Sequence, residues 1–307
     1  MKMNQKEQYL KYEPYIKSEG LDKLINFMEN SDYQIDVFDA VSGEVTIPFP
    51  PEPADLVRLH KTIRQRKCFT ILEFGLGYST IIMADALYKN QKDWETLSRK
   101  PKIRNRFMFQ LFSVETSQDW IERLESRIPG HLADRVHIQH SDVEIGTFNG
   151  QLCHYYQKIP DVIADFIYLD GPFTKDVQGQ INGLSFQCDE RTVLAGDLLL
   201  MESTFLPGTF ILIDGRTNNA RFLERNFKRK YETNWDRHGD VTTFELIEER
   251  LGKYNLLGSD FSDKFEQRTK TITEGIGLCA RVPHVPQPPV SNAPIARASS
   301  PPWSPVH

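Results

Sequence analysis

The stretch Ile71–Thr80, ILEFGLGYST, decides how this 307-residue chain is read. An apolar run ends in an acid, Glu73. A Gly-x-Gly turn follows at Gly75 and Gly77, and Ser79 and Thr80 open an apolar helical stretch. That succession is the first strand, loop and helix of a nucleotide-type α/β domain. Two glycines let the backbone turn tightly and approach a ligand closely, and the helix that follows presents free N–H groups at its start.

Working outward, short apolar runs alternate with helical patterns from Cys68 to about Arg250. The expected strands are 69–74, 108–114, 136–140, 166–169 and 210–213, each bounded by turn residues or an acid, as buried parallel strands are. Helices are expected at 79–97, 117–127, 189–204 and 218–229. The runs 231–235 and 241–247, separated by Asp236–Asp240, read as a closing antiparallel hairpin. Alternating β and α with a terminal hairpin implies a doubly wound, mostly parallel sheet with one reversed strand. Upstream, residues 1–66 are charged and aromatic, with helices expected near 4–30 and 53–66 and a rigid IPFPPEP connector at 47–53. The expected organisation is an N-terminal helical extension (1–66), a central domain (67–250), a C-terminal extension (251–282) and a disordered Pro-rich tail (283–307).

The bulk numbers exclude several classes. A net charge of −5 provides no global basic field for nucleic acid. The basic blocks KIRNRF (102–107) and FKRK (227–230) read first as solvated helix ends and loops. There is no long apolar run to span a membrane, and MKMNQKEQYLKYEPYIK lacks the apolar core of a signal peptide. Cys68, Cys153, Cys188 and Cys279 form no CxxC pair, so they read as free thiols in a reducing compartment. The expectation is a soluble, cytoplasmic protein. Its oligomeric state is not readable from the chain.

Ligands of a doubly wound sheet sit at the carboxyl ends of its strands. At the first such end, Glu73 would repel a pyrophosphate but suits a ligand that carries an ammonium and a sulfonium. The segment resembles motif I of the class I S-adenosylmethionine-dependent methyltransferases, hydrophobic-Glu-x-Gly-x-Gly-x-Ser/Thr. The resemblance covers about residues 68–250 and implies a seven-stranded sheet: five parallel strands, a sixth, and an antiparallel seventh inserted beside it. It assigns the loop Glu73, Gly75, Gly77, with Ser79 and Thr80, to the methionine part of the cofactor; Ser79 alone would also serve as an N-cap. Glu115 matches the motif II acid that holds both ribose hydroxyls, and it could equally stabilise the helix that follows. Asp142 and Val143 stand where the family meets the adenine, a place where a plain turn residue also fits.

The fourth strand ends in LDGP, like motif IV of small-molecule methyltransferases, which puts Asp170 at the centre of the site as cofactor contact and general base. A polar loop with Lys175, Asp176, Gly179 and Gly183 follows, suited to a substrate lid. The fifth strand ends at Asp214, facing Asp170, and His238 in the WDRHGD turn is a third candidate base. Catechol-type relatives hold a divalent ion with an acid after strand four and an Asp-Asn or Asp-Asp pair after strand five. Gly215 breaks that pair here, and Asn218 or Asn219 would replace it only if the loop folded back. A metal is therefore not favoured, and Mg²⁺ is the ion that hard oxygen ligands would select.

The implied activity is methyl transfer from S-adenosylmethionine to a small molecule, with O-methylation of a sugar or glycan precursor leading by elimination. Two alternatives remain. An NAD(P)-dependent oxidoreductase or epimerase needs a third glycine where Thr80 stands and an acid ~20 residues on, whereas Glu115 lies 38 residues beyond Gly77. A non-catalytic interaction protein on the same fold is the other.

Overall fold

The computed structural model describes residues 4–30 and 49–261. The Pro-rich tail, Cys279 and most of the expected C-terminal extension lie outside the described residues, as does part of the 47–53 connector.

The strands, in chain order, are β1 (Thr70–Phe74), β2 (Gln110–Glu115), β3 (Val136–His140), β4 (Val143–Phe148), β5 (Gln151–Tyr156), β6 (Phe166–Leu169), β7 (Val177–Gln178), β8 (Phe210–Asp214), β9 (Tyr231–Asp236) and β10 (Val241–Leu246). The helices are α1 (Gln5–Glu19), α2 (Pro53–Arg66), α3 (Tyr78–Glu95), α4 (Gln118–Glu125), α5 (Gly130–Ala133), α6 (Asp197–Met201) and α7 (Thr217–Asn226). Seven strands form the main sheet in the order β3-β2-β1-β6-β8-β10-β9. The contacts among β3, β2, β1, β6 and β8 are all parallel, and β10 runs antiparallel to both β8 and β9. The reversed strand is thus inserted between the fifth and sixth, and the chain has the class I methyltransferase fold.

Strict alternation in the central strands buries both faces of this sheet. Leu72, Phe74, Ile167, Leu169, Ile211 and Ile213 face a core completed by Phe186, Leu198, Phe222 and Leu223. Ile71, Phe166, Tyr168 and Leu212 point the other way, onto Leu59 and Ile63 of α2 and Met83 and Leu87 of α3. The N-terminal segment is part of this packing. Ile16, Leu21 and Phe27 share a cluster with Leu56 and Val57 of α2 and with Ile81 and Ile82 of α3. A buried polar chain runs through the same layer: the Tyr15 hydroxyl meets His60 Nδ1 at 2.7 Å, and His60 Nε2 meets Asp85 Oδ2 at 2.9 Å.

Two features depart from expectation. Residues 189–196 are not helical; only 197–204 is, as α6 and a 3₁₀ turn. Gly196 N bonds His154 O instead, and Ala195 bridges His154, so this stretch serves as a strand-like neighbour of β5. The second is a separate three-stranded sheet, β5-β4-β7, whose β4–β5 hairpin comes before β6 and whose short β7 follows it. Its hairpin turns at Asn149 (φ 49°) and Gly150 (φ 74°), the two left-handed positions that an Asn-Gly turn supplies. The FKRK block is absorbed structurally: Arg229 pairs with Glu248 at 2.6 Å, and the Lys228 and Arg229 amides donate to Glu202. Cys68, Cys153 and Cys188 are unpaired. Among the described residues no helix is long and apolar enough to cross a membrane.

Candidate functional site

A cavity of about 520 Å³ opens over the carboxyl ends of β1, β2, β6 and β8, within the ~300–1,000 Å³ typical of small-ligand sites. Gly77, Ser79, Glu115, Asp170 and Asp214 line it, together with Tyr168, Phe173 and Trp120. The segment before α2 and α2 itself close one side with Phe49, Glu52 and Asp55.

The first loop divides its labour in a way the motif did not announce. Glu73 is fully buried and does not border the cavity. Its carboxylate accepts the hydroxyls of Ser79 (2.6 Å), Thr80 (2.8 Å) and Ser113 (2.5 Å). Ser113 is its direct neighbour on β2, and the other two hydroxyls lie at the start of α3. A buried carboxylate must be satisfied, and here the strand-to-helix turn itself satisfies it. Burial still pushes the Glu73 carboxyl up to about 7, against the pull of the three hydroxyls. Contrary to expectation, Glu73 and Thr80 do not border the cavity; their side chains build the loop beneath it. Ser79 does both: it donates to Glu73 and borders the cavity.

The glycines also differ. A Cβ on Gly75 (φ +95°) would lie 3.0 Å from the Gly171 amide nitrogen, whereas one on Gly77 would meet nothing within 4 Å. The close approach made by Gly75 is to the LDGP loop. Gly77 is the residue with open space toward the cavity.

Glu115 ends β2 with Oε1 committed to its own chain, accepting the Thr116 amide (2.7 Å) and the Ser117 amide (2.9 Å). These bonds fix the carboxylate, and Oε2 takes none of them. Burial raises its pKa, opposed by the Ser117 and Thr116 bonds. Asp142 and Val143 do not reach the cavity. Val143 is buried and paired in register with Val177 of β7, and Asp142 is exposed. The inserted sheet has captured the turn that was expected to meet adenine. The loop after β6 is tethered as well, since the Thr116 hydroxyl donates to Asp176 at 2.7 Å and Lys175 pairs with Asp189.

At the centre, β6 and β8 are parallel neighbours with Leu169 opposite Ile213, so Asp170 and Asp214 fall on the next rung. The Tyr168 hydroxyl lies between them, 2.9 Å from Asp214 Oδ2 and 3.5 Å from Asp170 Oδ2. Arg216, at φ +48°, folds back to donate to the Asp170 and Pro172 carbonyls, with Nη2 3.8 Å from Asp170 Oδ1. The Asp170 side chain stays 52% open on its cavity side. Burial by the surrounding walls pushes its carboxyl up to about 7; Arg216 opposes this and Asp214 adds to it. Burial also raises Asp214, with the Tyr168 hydroxyl opposing. Asp55 approaches from α2, paired with Arg58 at 2.8 Å, and is raised to about 7 by burial and then by Asp214.

His238 is not brought to this centre. Asp236 Oδ1 accepts the His238 and Gly239 amides, which closes the hairpin turn with the imidazole exposed; Gly239 and Asp240 line the cavity in its place. Nor do Asn218 and Asn219 turn back toward Asp214. Asn219 Oδ1 accepts the Ala195 amide, and Asn218 lies 3.4 Å from the Thr192 hydroxyl. Among the described residues no group of three or more His, Cys, Asp or Glu is arranged to hold a metal ion.

Asp55 and Tyr168 were not singled out from the sequence. Tyr168 had a signal: it stands two residues before Asp170, on the same face of β6. Asp55 had none, because only the packing of α2 on α3 brings it over the cleft.

The fold and cleft define an α/β domain of the class I methyltransferase type, with an acidic ligand cavity at its strand ends. No family model and no curated protein matches the chain. Solved structures that it resembles include a candidate caffeoyl-CoA O-methyltransferase from Staphylococcus aureus (13% identity, 76% of this chain and 98% of that chain, TM-score 0.41). An O-methyltransferase from Bacillus cereus in complex with SAH is similar at 16% identity (77% and 90%, TM-score 0.36). A third is TomG from Streptomyces achromogenes, an O-methyltransferase of tomaymycin synthesis in complex with SAM (15% identity, 70% and 92%, TM-score 0.36). Likeness at this level decides nothing alone; the fold assignment rests on the strand order above.

Proposed function

We propose that the chain is an S-adenosylmethionine-dependent methyltransferase that methylates an oxygen of a small molecule, with a sugar or glycan-precursor hydroxyl as the leading acceptor. The observation that carries this reading is the donor and acceptor set of the cavity. Gly77 and Ser79 open one end, Glu115 offers a free carboxylate oxygen at the end of β2, and Asp170 and Asp214 meet at its centre. A site with carboxylates at its centre complements a sulfonium and opposes a pyrophosphate. Gly77, Ser79, Glu115 and Asp170 would hold the cofactor, which supplies an activated methyl group when bound. Thr80 standing in place of a third glycine, with its hydroxyl committed to Glu73, counts against a dinucleotide.

Aligning the acceptor with the methyl group is the main task of the cavity walls, and such proximity can lower a barrier by ~7–11 kcal/mol. Asp170, with a carboxyl held near neutrality and open to the cavity, would in its ionised form take the acceptor's proton, worth roughly 10²–10⁴-fold. Asp214 would support it. His238, exposed in its turn, has no part in this scheme.

The test is a thermal-shift titration with S-adenosylmethionine and S-adenosylhomocysteine against NAD(H) and NADP(H). Saturating ligand at ~100 times its dissociation constant adds about 2.7 kcal/mol of stability. Stabilisation by the adenosyl sulfur compounds alone is expected. Stabilisation by nicotinamide cofactors alone would replace this reading with an oxidoreductase.

A further inference from the structure

We propose that Tyr168 is a positioning residue, whose hydroxyl ties Asp170 and Asp214 into one proton-sharing pair and thereby sets how strongly the site prefers a cationic sulfur over a neutral one. This rests on the S-adenosylmethionine reading above and deepens it.

The geometry carries the argument. Tyr168 is 2% exposed, its ring is packed in the core between the sheet and α2–α3, and its hydroxyl reaches the cavity wall. That hydroxyl is 2.9 Å from Asp214 Oδ2 and 3.5 Å from Asp170 Oδ2. A phenol has one proton to donate. The nearer carboxylate, Asp214, takes it, and Asp170 then faces a phenol lone pair. That contact is favourable only when Asp170 carries a proton of its own, so the arrangement favours one proton on Asp170 donated to Tyr168, whose own proton goes to ionised Asp214. Two like-charged carboxylates on one rung favour the same outcome.

Tyr168 is a spacer and not a base, because burial and the neighbouring Asp170 and Asp214 charges hold its hydroxyl far above its ordinary range. Other groups face the pair from every side: Glu73 on β1, Glu115 on β2, Glu52, Asp55 and Arg58 from α2 and the segment before it, and Arg216 after β8. Tyr168 is the group that touches both carboxylates.

A sulfonium gains when the pair loses its shared proton, whereas the neutral thioether of the product does not. The ratio of S-adenosylmethionine to S-adenosylhomocysteine affinity should therefore rise with pH, by at most about tenfold per pH unit for one ionisation. The experiment is calorimetric titration of both compounds into the full chain between about pH 6 and 8, for wild type, Tyr168→Phe and Asp214→Asn. Taking the ratio cancels any loss of shape complementarity common to both ligands. In Tyr168→Phe the rise should move to lower pH, because the proton on Asp170 loses the phenol oxygen that accepts it. In Asp214→Asn it should move to lower pH, because Asp170 loses its like-charged neighbour. A Tyr168→Phe curve that overlays the wild type overturns the proposal and leaves Tyr168 as packing. If Tyr168→Phe does not fold, an unmoved Asp214→Asn curve overturns it. Wild type that binds neither compound overturns the cofactor reading itself, and this proposal with it; binding of both with a flat ratio overturns only the proposal.

Discussion

The backbones of Gly75 and Gly171 lie against each other: a Cβ on Gly171 would stand 2.7 Å from the Gly75 nitrogen and 2.8 Å from its Cα. The loop after β1 and the loop after β6 are thereby held at a fixed spacing beneath the cavity. Gly171→Ala is expected to force the loops apart at a cost of about 1–3 kcal/mol, the usual penalty of overpacking. Gly75→Ala adds a strained φ to the same clash. Chemical denaturation, paired with S-adenosylhomocysteine affinity, checks this; wild-type values for Gly171→Ala would show that the loops do not depend on the contact.

Glu73 gives a pH prediction with a definite sign. Burial pushes its carboxyl from the ordinary 4.5 up to about 7, so between these values the folded state holds a proton that the unfolded chain has released. This contribution to stability is fully present below the unfolded value and is lost as pH rises toward 7, by roughly 3 kcal/mol at most. Above pH 7 it is flat. Glu73→Gln keeps the shape and removes the ionisation, so the fall in stability between pH 4.5 and 7 should be shallower than in wild type. Urea melts of both proteins at pH 5 and 7.5 measure the difference, and parallel slopes would contradict the assignment.

Glu115 lines the cavity with Oε1 holding the Thr116 and Ser117 amides and Oε2 outside those bonds. Glu115→Gln is expected to weaken cofactor binding by roughly 1.5–3 kcal/mol, the range for charged hydrogen bonds. Calorimetry with S-adenosylhomocysteine measures it, and unaltered affinity would remove Glu115 from the site. Glu115→Ala should also loosen the start of α4 and lower the melting temperature.

Ile16 is completely buried, in a cluster that includes Ile81 and Ile82 of α3. Ile16→Ala should cost about 2–5 kcal/mol of global stability. Because α3 begins at the Gly75–Gly77 loop beside the cavity, the same variant should also weaken binding of S-adenosylhomocysteine. Loss of stability confined to α1, seen by hydrogen exchange, would instead mark the N-terminal segment as a separate unit.

Much of the fold could be read from local pattern. Apolar runs of four to seven residues with an acid in or beside their last positions give β1, β2, β6 and β8 within two residues of their observed limits, because a strand buried on both faces has few other compositions open to it. The β4–β5 hairpin was also written locally, in Asn149-Gly150, but its strands alternate weakly and passed unread. The stretch 189–196 failed for the opposite reason: its local composition permits helix, and pairing with His154 overrides it.

For the site, the sequence by itself determined which acids end which strands, since a strand's carboxyl end is a local event. That brought Glu115, Asp170 and Asp214 to one edge of the sheet. Which of the motif residues line the cavity depends instead on long-range packing. Glu73 is drawn inward by hydroxyls on two other elements, Val143 is paired away by β7, and Asp55 arrives on a helix packed from outside the motif region. Each outcome depends on contacts between residues distant in the chain, and such contacts leave no trace in local periodicity.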